Sequence, residues 1–206
     1  MGFIINEGSV FTNEVFESAD FEQTKFISNE FHDCSFTKCS FPGTIFIRCR
    51  FVSCAFLQCD LSLVQIEESS FSDIQFEESK IVGVNWTKAD WSRMKFTKPP
   101  SFLRCDISHS TFIGLALGGL ELKESKAINV DFRDANLEKA NFEGTDFAES
   151  LFGKTNLRKA DLSKAINYYI VPEENDLKGA KFSLPEAMSL LYNLDIDLVE
   201  RDTLMG

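Results

Sequence analysis

Six cysteines and two histidines carry the richest chemistry in this 206-residue chain. Thiols and imidazoles together can build a metal centre or a nucleophile–base pair. Their spacing favours neither. Cys34, Cys39, Cys49, Cys54 and Cys59 lie multiples of five apart, with Cys105 one residue off that grid, and no Cys-x-x-Cys or Cys/His ligand spacing occurs. His32 and His109 fall far apart, each at an outward position of the five-residue frame described below, and no Ser/His/Asp or Cys/His set assembles from them. Gly114, Gly118 and Gly119 follow no strand–turn–helix pattern, so they make no phosphate loop. No catalytic residue, cofactor or metal is expected, and the chain does not read as an enzyme.

Charge is what remains. Against 21 Lys and Arg stand 32 Asp and Glu, a net charge of −11 and a pI near 4.7. Direct nucleic-acid binding is not expected, because neutralising phosphates takes a clustered basic surface. The densest acidic stretch is Glu67, Glu68, Asp73, Glu77 and Glu78, with no base among them. A plain solvated surface accounts for such a run, and so does a contact for a cationic partner. No apolar run approaches the roughly 18–20 residues that span a bilayer. The first residues, Met1 to Glu7, have neither the basic nor the long apolar region of a secretory signal. A cytoplasmic protein is expected.

The elements that must position these groups come from a repeat. Steps of five from Phe11 land on Phe16, Phe21, Phe26, Phe31, Phe36, Phe41, Phe46, Phe51 and Phe56, then on large apolar residues through Trp86, Trp91 and Phe96. One step of six, across Thr97-Lys98-Pro99-Pro100-Ser101, leads to Phe102, and the five-step then runs on to Leu162. Of the 21 Phe, only Phe3 is out of frame. A period of five belongs to neither a helix nor a flat strand. Two residues before each centre is a small or modestly apolar residue, and this column holds all six cysteines. Residues i and i−2 of an extended segment point the same way, so both columns face inward. Glu14 is the one charge among the inward positions. The cysteines then read as small buried hydrophobes, with Cys34/Cys54 and Cys39/Cys59 twenty residues apart.

Ala135-Asn136-Leu137-Glu138-Lys139, Ala140-Asn141-Phe142-Glu143-Gly144 and Ala160-Asp161-Leu162-Ser163-Lys164 resemble the motif of the pentapeptide-repeat proteins, and the resemblance extends over about residues 9–164. It implies an all-β fold, a right-handed quadrilateral parallel β-helix with four repeats per coil. About 31 centres make nearly 8 coils, and at ~4.8 Å per hydrogen-bonded strand the rod is about 37 Å long. Residues 1–182 form this β-helix, with a one-residue frame shift near 97–101 that breaks the rod or expels a small bulge. Residues 183–206 form a C-terminal segment. There Ser183 and Glu186 make a capping-box pattern with Pro185 in the first turn, and Leu184, Ala187, Met188, Leu191 and Leu194 share a helical face. A short strand at 195–198 follows. The helix caps the open end of the coil.

Three stretches resemble more narrowly the albicidin- and quinolone-resistance branch of that family. They are Gly83-Val84-Asn85-Trp86-Thr87 with Ala89 and Trp91, Ser101-Phe102 with Arg104-Cys105, and Phe182 to Ala187 running on to Ser189-Leu190-Leu191. This resemblance implies a homodimer joined through the C-terminus, with Leu184, Met188, Leu191 and Leu194 as its seam. It also implies an acidic rod that mimics DNA on a type II topoisomerase such as gyrase, modulating it or shielding it from an inhibitor. The frame from Phe11 to Phe96 has no insertion, whereas quinolone-resistance members of Gram-negative origin carry loops that interrupt the repeat and matter for protection. This departure counts against quinolone protection more than against gyrase binding. The alternative is an interaction scaffold for another protein partner.

Overall fold

The computed structural model describes residues 6–92 and 98–194. Within them the backbone turns a corner after every fifth residue, and four such sides close a coil. The corner residue lies two places after each large apolar centre and takes a left-handed conformation, as at Asn13, Asp33, Asp73, Arg104 and Lys139, with φ between 52° and 61°. β-branched side chains clash with their own backbone there, and no corner residue with positive φ is Val, Ile or Thr. At many corners an Asp or Asn just before the centre locks the bend. Asp20, Asp60, Asp106, Asn136, Asn141 and Asp161 each accept the N–H two residues on, at 2.9–3.1 Å. This is an Asx-turn, a short-range bond that these side chains make readily.

Stacked coils pair in parallel and in register. One sheet unites Val10–Thr12, Glu30–His32, Arg50–Val52 and Ser70–Ser72. The next face unites Val15–Glu17, Ser35–Thr37, Ala55–Leu57, Gln75–Glu77, Ser101–Leu103 and Glu121–Lys123. The other two faces are joined mostly by single bridges such as Asp60 to Lys80 and Thr111 to Asp131. The result is a right-handed quadrilateral parallel β-helix of about eight turns, with one short helix near its C-terminus.

Register stacks like on like. Phe11, Phe31, Phe51 and Phe71 form a column with ring centroids 5.1, 4.8 and 5.2 Å apart and nearly parallel planes. Rings on adjoining faces of a coil meet edge-on, as Phe46 meets Phe51 at 87°. Both geometries suit the aromatic quadrupole. The small column contributes differently. Its hydroxyls and thiols donate to the carbonyl of the coil before, Thr44 to Phe21 at 2.7 Å, Thr145 to Leu122 at 2.8 Å and Cys39 to Phe16 at 3.4 Å. These inward polar groups are therefore satisfied, as burial requires. Glu14, the inward charge foreseen from sequence, is solvent-exposed on the first coil.

Between residues 86 and 102 the ladder departs from the one-residue shift expected from the frame. Phe56 pairs with Phe76 twenty residues on, but Phe76 pairs with Phe102, twenty-six residues on. The excess is six residues, one whole repeat plus one. Phe102 therefore stacks on Phe76, at 5.1 Å. Trp91 still packs against the core, and Asp90 donates its N–H to Ser69. The wall resumes with the buried Pro100, whose ring nitrogen cannot donate to a ladder.

The C-terminal segment also differs from the expected helix. A 3₁₀ turn at Glu186–Met188 runs into α1, Ser189–Tyr192, and the Leu184–Pro185 peptide is cis. Ser183 and Glu186 form no capping box. Instead Ser183 Oγ accepts the N–H of Lys164 at 3.1 Å, and Glu186 Oε1 accepts that of Asn167 at 3.3 Å. Asn193 Nδ2 donates to the Ile170 carbonyl at 2.9 Å. Three side chains thus take the places that a further coil's backbone would fill. Tyr168 and Ile170 replace the frame positions Asn167 and Pro172 in the core, Tyr168 packing on Phe182 at 5.6 Å. The strand expected at 195–198 lies outside the described residues.

Candidate partner-binding surface

The five acids singled out from sequence lie on three successive sides of one coil. Glu67 and Glu68 follow Ile66, Asp73 follows Phe71, and Glu77 and Glu78 follow Phe76. Glu68, Asp73 and Glu78 occupy left-handed corners, which throw the side chain outward. Glu67 is half-buried, and its Oε2 is enclosed without a hydrogen-bond partner. Asp73 accepts the N–H of Lys98, at 3.4 Å, just before the wall resumes.

Glu77 and Glu78 are not the bare charges that the linear sequence suggests. Arg104, carried onto the next coil by the twenty-six-residue step, bonds both. Its Nε and Nη2 lie 3.3 and 3.1 Å from Glu78 Oε1, and Gln58 Nε2 donates to Oε2 at 2.8 Å. Gln58 and Arg104 together hold the Glu78 carboxyl below its ordinary range. Such exposed pairs add little stability, but they remove negative charge from this side.

A more anionic region was not singled out from the linear run. Glu7, Glu14, Glu17, Asp20, Glu22 and Asp33 are all exposed on the first coils, with Lys25 the only Lys or Arg among residues 6–33. Folding concentrates this charge at one end, because twenty residues occupy a single ladder step. Beyond residue 100, bases are interspersed with the acids and three cross-coil pairs neutralise some of them. Lys164 meets Glu143 at 2.7 Å, Lys181 meets Asp161 at 2.9 Å, and Arg158 meets Asp176 at 3.1 Å. On one face the bridged positions Asp60, Lys80, Asp106, Lys126 and Asp146 alternate in sign up the rod. The electrostatic field is therefore lopsided, strongest at the N-terminal end.

The closing segment presents apolar surface. Leu184 is 79% exposed, Tyr169 65%, Tyr192 58% and Leu191 43%, with Met188 at the edge of exposure and Leu194 half-buried. Beneath them a cavity of about 300 Å³ is lined by Tyr168, Glu186, Met188, Ser189 and Tyr192 among others.

The histidines stay apart, His32 against Glu30 at 2.9 Å and His109 against Asn129 at 3.2 Å. All six cysteines are free and buried, and burial pushes the Cys54 and Cys105 thiols up to about 12 and about 11. Among the described residues no three His, Cys, Asp or Glu side chains gather as metal ligands, and no helix is long and apolar enough to cross a membrane.

This geometry has counterparts. A model of the pentapeptide repeat region matches residues 29–99, and a model of pentapeptide repeats in eight copies matches residues 117–152 and 128–163. No curated protein matches in sequence. Among solved structures, a trypsin-treated variant of QnrB1, a plasmid-mediated fluoroquinolone resistance protein, superposes with a TM-score of 0.70. The identity is 21%, over 93% of this chain and 98% of that one. A second trypsin-treated variant of QnrB1 gives 0.61 at the same identity and coverage. HetL, a protein of heterocyst differentiation regulation from the cyanobacterium Nostoc, gives 0.57 at 16% identity, over 84% and 85% of the two chains. The five-residue frame, the square parallel coil and the two family matches agree, and the chain belongs to the pentapeptide-repeat family.

Proposed function

We propose that this protein binds a type II topoisomerase, DNA gyrase in the first instance, as a mimic of its DNA and so modulates it or protects it from an inhibitor. The observation that carries the reading is the lopsided rod. Its first coils hold a concentration of exposed carboxylates with few counter-charges, on an in-register stack whose rise per coil suits a periodic charge array. Eight coils at ~4.8 Å span about 38 Å, and a duplex of that length carries about 22 phosphates at one per ~1.7 Å. The protomer's net charge of −11 is half of this. A dimer through Leu184, Met188, Leu191 and Leu194, burying the apolar surface of the closing segment, doubles both length and charge and leaves the two anionic ends outermost. The fold shared with a fluoroquinolone resistance protein supports the same direction. The six-residue excess before Phe102 lessens the contrast drawn from an uninterrupted frame.

The test is gyrase supercoiling with purified protein titrated in, with and without albicidin or a fluoroquinolone, at two salt concentrations. Competition with DNA predicts inhibition without drug that weakens as salt screens the contact, or restored supercoiling with drug. No effect up to tens of micromolar at either salt refutes the reading. The fold shared with HetL favours a second reading, a scaffold for another protein. Affinity capture that enriches a different partner and no topoisomerase subunit selects it.

A further inference from the structure

Two pairs of thiols stand one coil apart in the inner wall. Cys34 and Cys54 share one column, with the Ala55 N–H on the Cys34 carbonyl at 3.0 Å. Cys39 and Cys59 share the next, with the Asp60 N–H on the Cys39 carbonyl at 3.0 Å. All four thiols are turned the same way. Cys34 Sγ lies 3.5 Å from Phe11 O and 3.3 Å from His32 O, and Cys54 Sγ lies 3.4 Å from both Phe31 O and Val52 O. Cys39 repeats this on Phe16 O and Thr37 O at 3.4 and 3.5 Å, and Cys59 on Phe36 O and Leu57 O at 3.3 and 3.4 Å. Equal contacts displaced by one coil mean equal rotamers. Each Sγ–Sγ separation is then the coil rise, which the adjoining ring pairs Phe16–Phe36 and Phe36–Phe56 measure as 4.8 and 4.6 Å.

That distance discriminates among thiol chemistries. A disulfide needs its sulfurs about 2.05 Å apart, so both thiols of a pair would have to leave the shared rotamer in which each bonds two carbonyls, and an oxidant would have to take up two electrons. Tetrahedral zinc needs four ligands, and no third His, Cys, Asp or Glu joins either pair among the described residues. A linear S–M–S unit with metal–sulfur bonds of ~2.3 Å spans about 4.6 Å, which is the coil rise. Thiolates select soft cations. Two thiolates around a monovalent ion leave one negative charge in a dry wall, whereas a divalent ion leaves none, and burial favours the neutral unit.

We propose that Cys34/Cys54 and Cys39/Cys59 are two linear dithiolate sites for a soft divalent cation of the Hg(II) type, each clipping the second coil to the third. Two S–H bonds break, two metal–sulfur bonds form and two protons leave to solvent, with no electron transferred. Cys49 and Cys105 are internal controls. Cys49 has Asn29 and Ser69 as column neighbours, and Cys105 has Ser79 and Ser125. All four paired thiols are almost fully buried, so an ion enters when coils open or as the chain refolds.

The experiment refolds the reduced full chain, in a Cys49→Ser/Cys105→Ser background, from urea with mercuric chloride. It then removes loose metal with excess monothiol and counts retained ions by native mass spectrometry. Serine already fills this column at Ser69 and Ser79, and circular dichroism checks each variant's fold. Two ions per protomer are expected, with two sulfurs at about 2.3 Å by X-ray absorption and a raised melting temperature. Cys39→Ser should lose one ion, and Cys39→Ser/Cys54→Ser should lose both. Retention of none, or retention unchanged in the doubly substituted protein, overturns the proposal.

Discussion

Truncating one ring tests whether stacked phenylalanines hold the rod together. Phe51 is 1% exposed, with parallel rings at 4.8 Å on one side and 5.2 Å on the other, and Phe46 edge-on at 5.2 Å. Phe51→Ala leaves a ring-sized void between two rings that the ladder holds one coil away on either side, so the site collapses poorly. Burial of a ring lost with an unhealed cavity costs about 3–5 kcal/mol, and the pinned neighbours place this site near the top, about 4–5 kcal/mol. For a chain of this length each kcal/mol moves the melting temperature by about 2–4 °C, so a fall of about 10–15 °C is expected. Phe11 supplies the contrast. It is half-buried on the first coil, with the Phe31 ring at 5.1 Å and no coil described above it, so Phe11→Ala should cost about 1–2 kcal/mol, mostly lost transfer energy. Urea unfolding followed by far-ultraviolet circular dichroism measures both. A cost below about 2 kcal/mol for Phe51→Ala, or equal costs at the two sites, refutes the view that each coil is held by its neighbours.

Other outcomes follow from the same geometry. Lys139→Val puts a β-branched residue at a corner with φ of 61° and should destabilise by about 1–2 kcal/mol, whereas Lys139→Gly should stay within about 1 kcal/mol of wild type in thermal melts. The Ser163 and Lys181 partners hold the Asp161 carboxyl down to about 2. The folded state thus binds this proton less readily than the unfolded chain, and the contribution is present above about pH 4 and lost as pH falls toward 2. Asp161→Asn should therefore lose stability at neutral pH but converge on wild type near pH 2 in acid-titrated unfolding. If gyrase inhibition is the activity, Glu67→Lys/Glu68→Lys should weaken it. Glu77→Lys/Glu78→Lys should do so less for a folded protein, because Arg104 already neutralises that side; equal losses in supercoiling assays refute this ranking. All six thiols should stay silent to a disulfide reagent until urea unfolds the chain, since each is almost fully buried.

The fold was legible because its code is short. Every side of the square needs one large and one small inward residue, and Phe36 with Cys34 or Leu137 with Ala135 displays the pair openly. The left-handed corner was written too, in a column that admits Lys139, Asp73 and Gly144 but no Val, Ile or Thr, though hydrophobic periodicity does not reveal it. The surface was harder to read. Arg104 reaches Glu77 and Glu78 only across a step whose length the five-residue frame leaves undetermined, since twenty-one and twenty-six residues have the same remainder. Ser183 and Glu186 carry the spacing of a helix cap, and local pattern cannot tell that the orphan N–H groups of Lys164 and Asn167 compete for them and win. The anionic end was obscured because Glu7, Glu17 and Glu22 are spaced out along the chain and are gathered at one end only when wound onto the first coil.

The twenty-six-residue step has a rotational meaning. In a square winding each repeat advances the chain by a quarter turn, so a wound-in extra repeat would have swung everything from Phe102 onward by ninety degrees about the axis. Leaving it out of the winding keeps the two halves in phase. That is why Lys80 still finds Asp106 in its own column and the sign-alternating stripe runs unbroken from Asp60 to Asp146. Lengthening such a rod by whole turns preserves its painted sides, and any other insertion must either bulge or rotate one half's surface out of alignment with the other. A surface that works as one continuous face can therefore change in length by twenties, and otherwise only by growing loops.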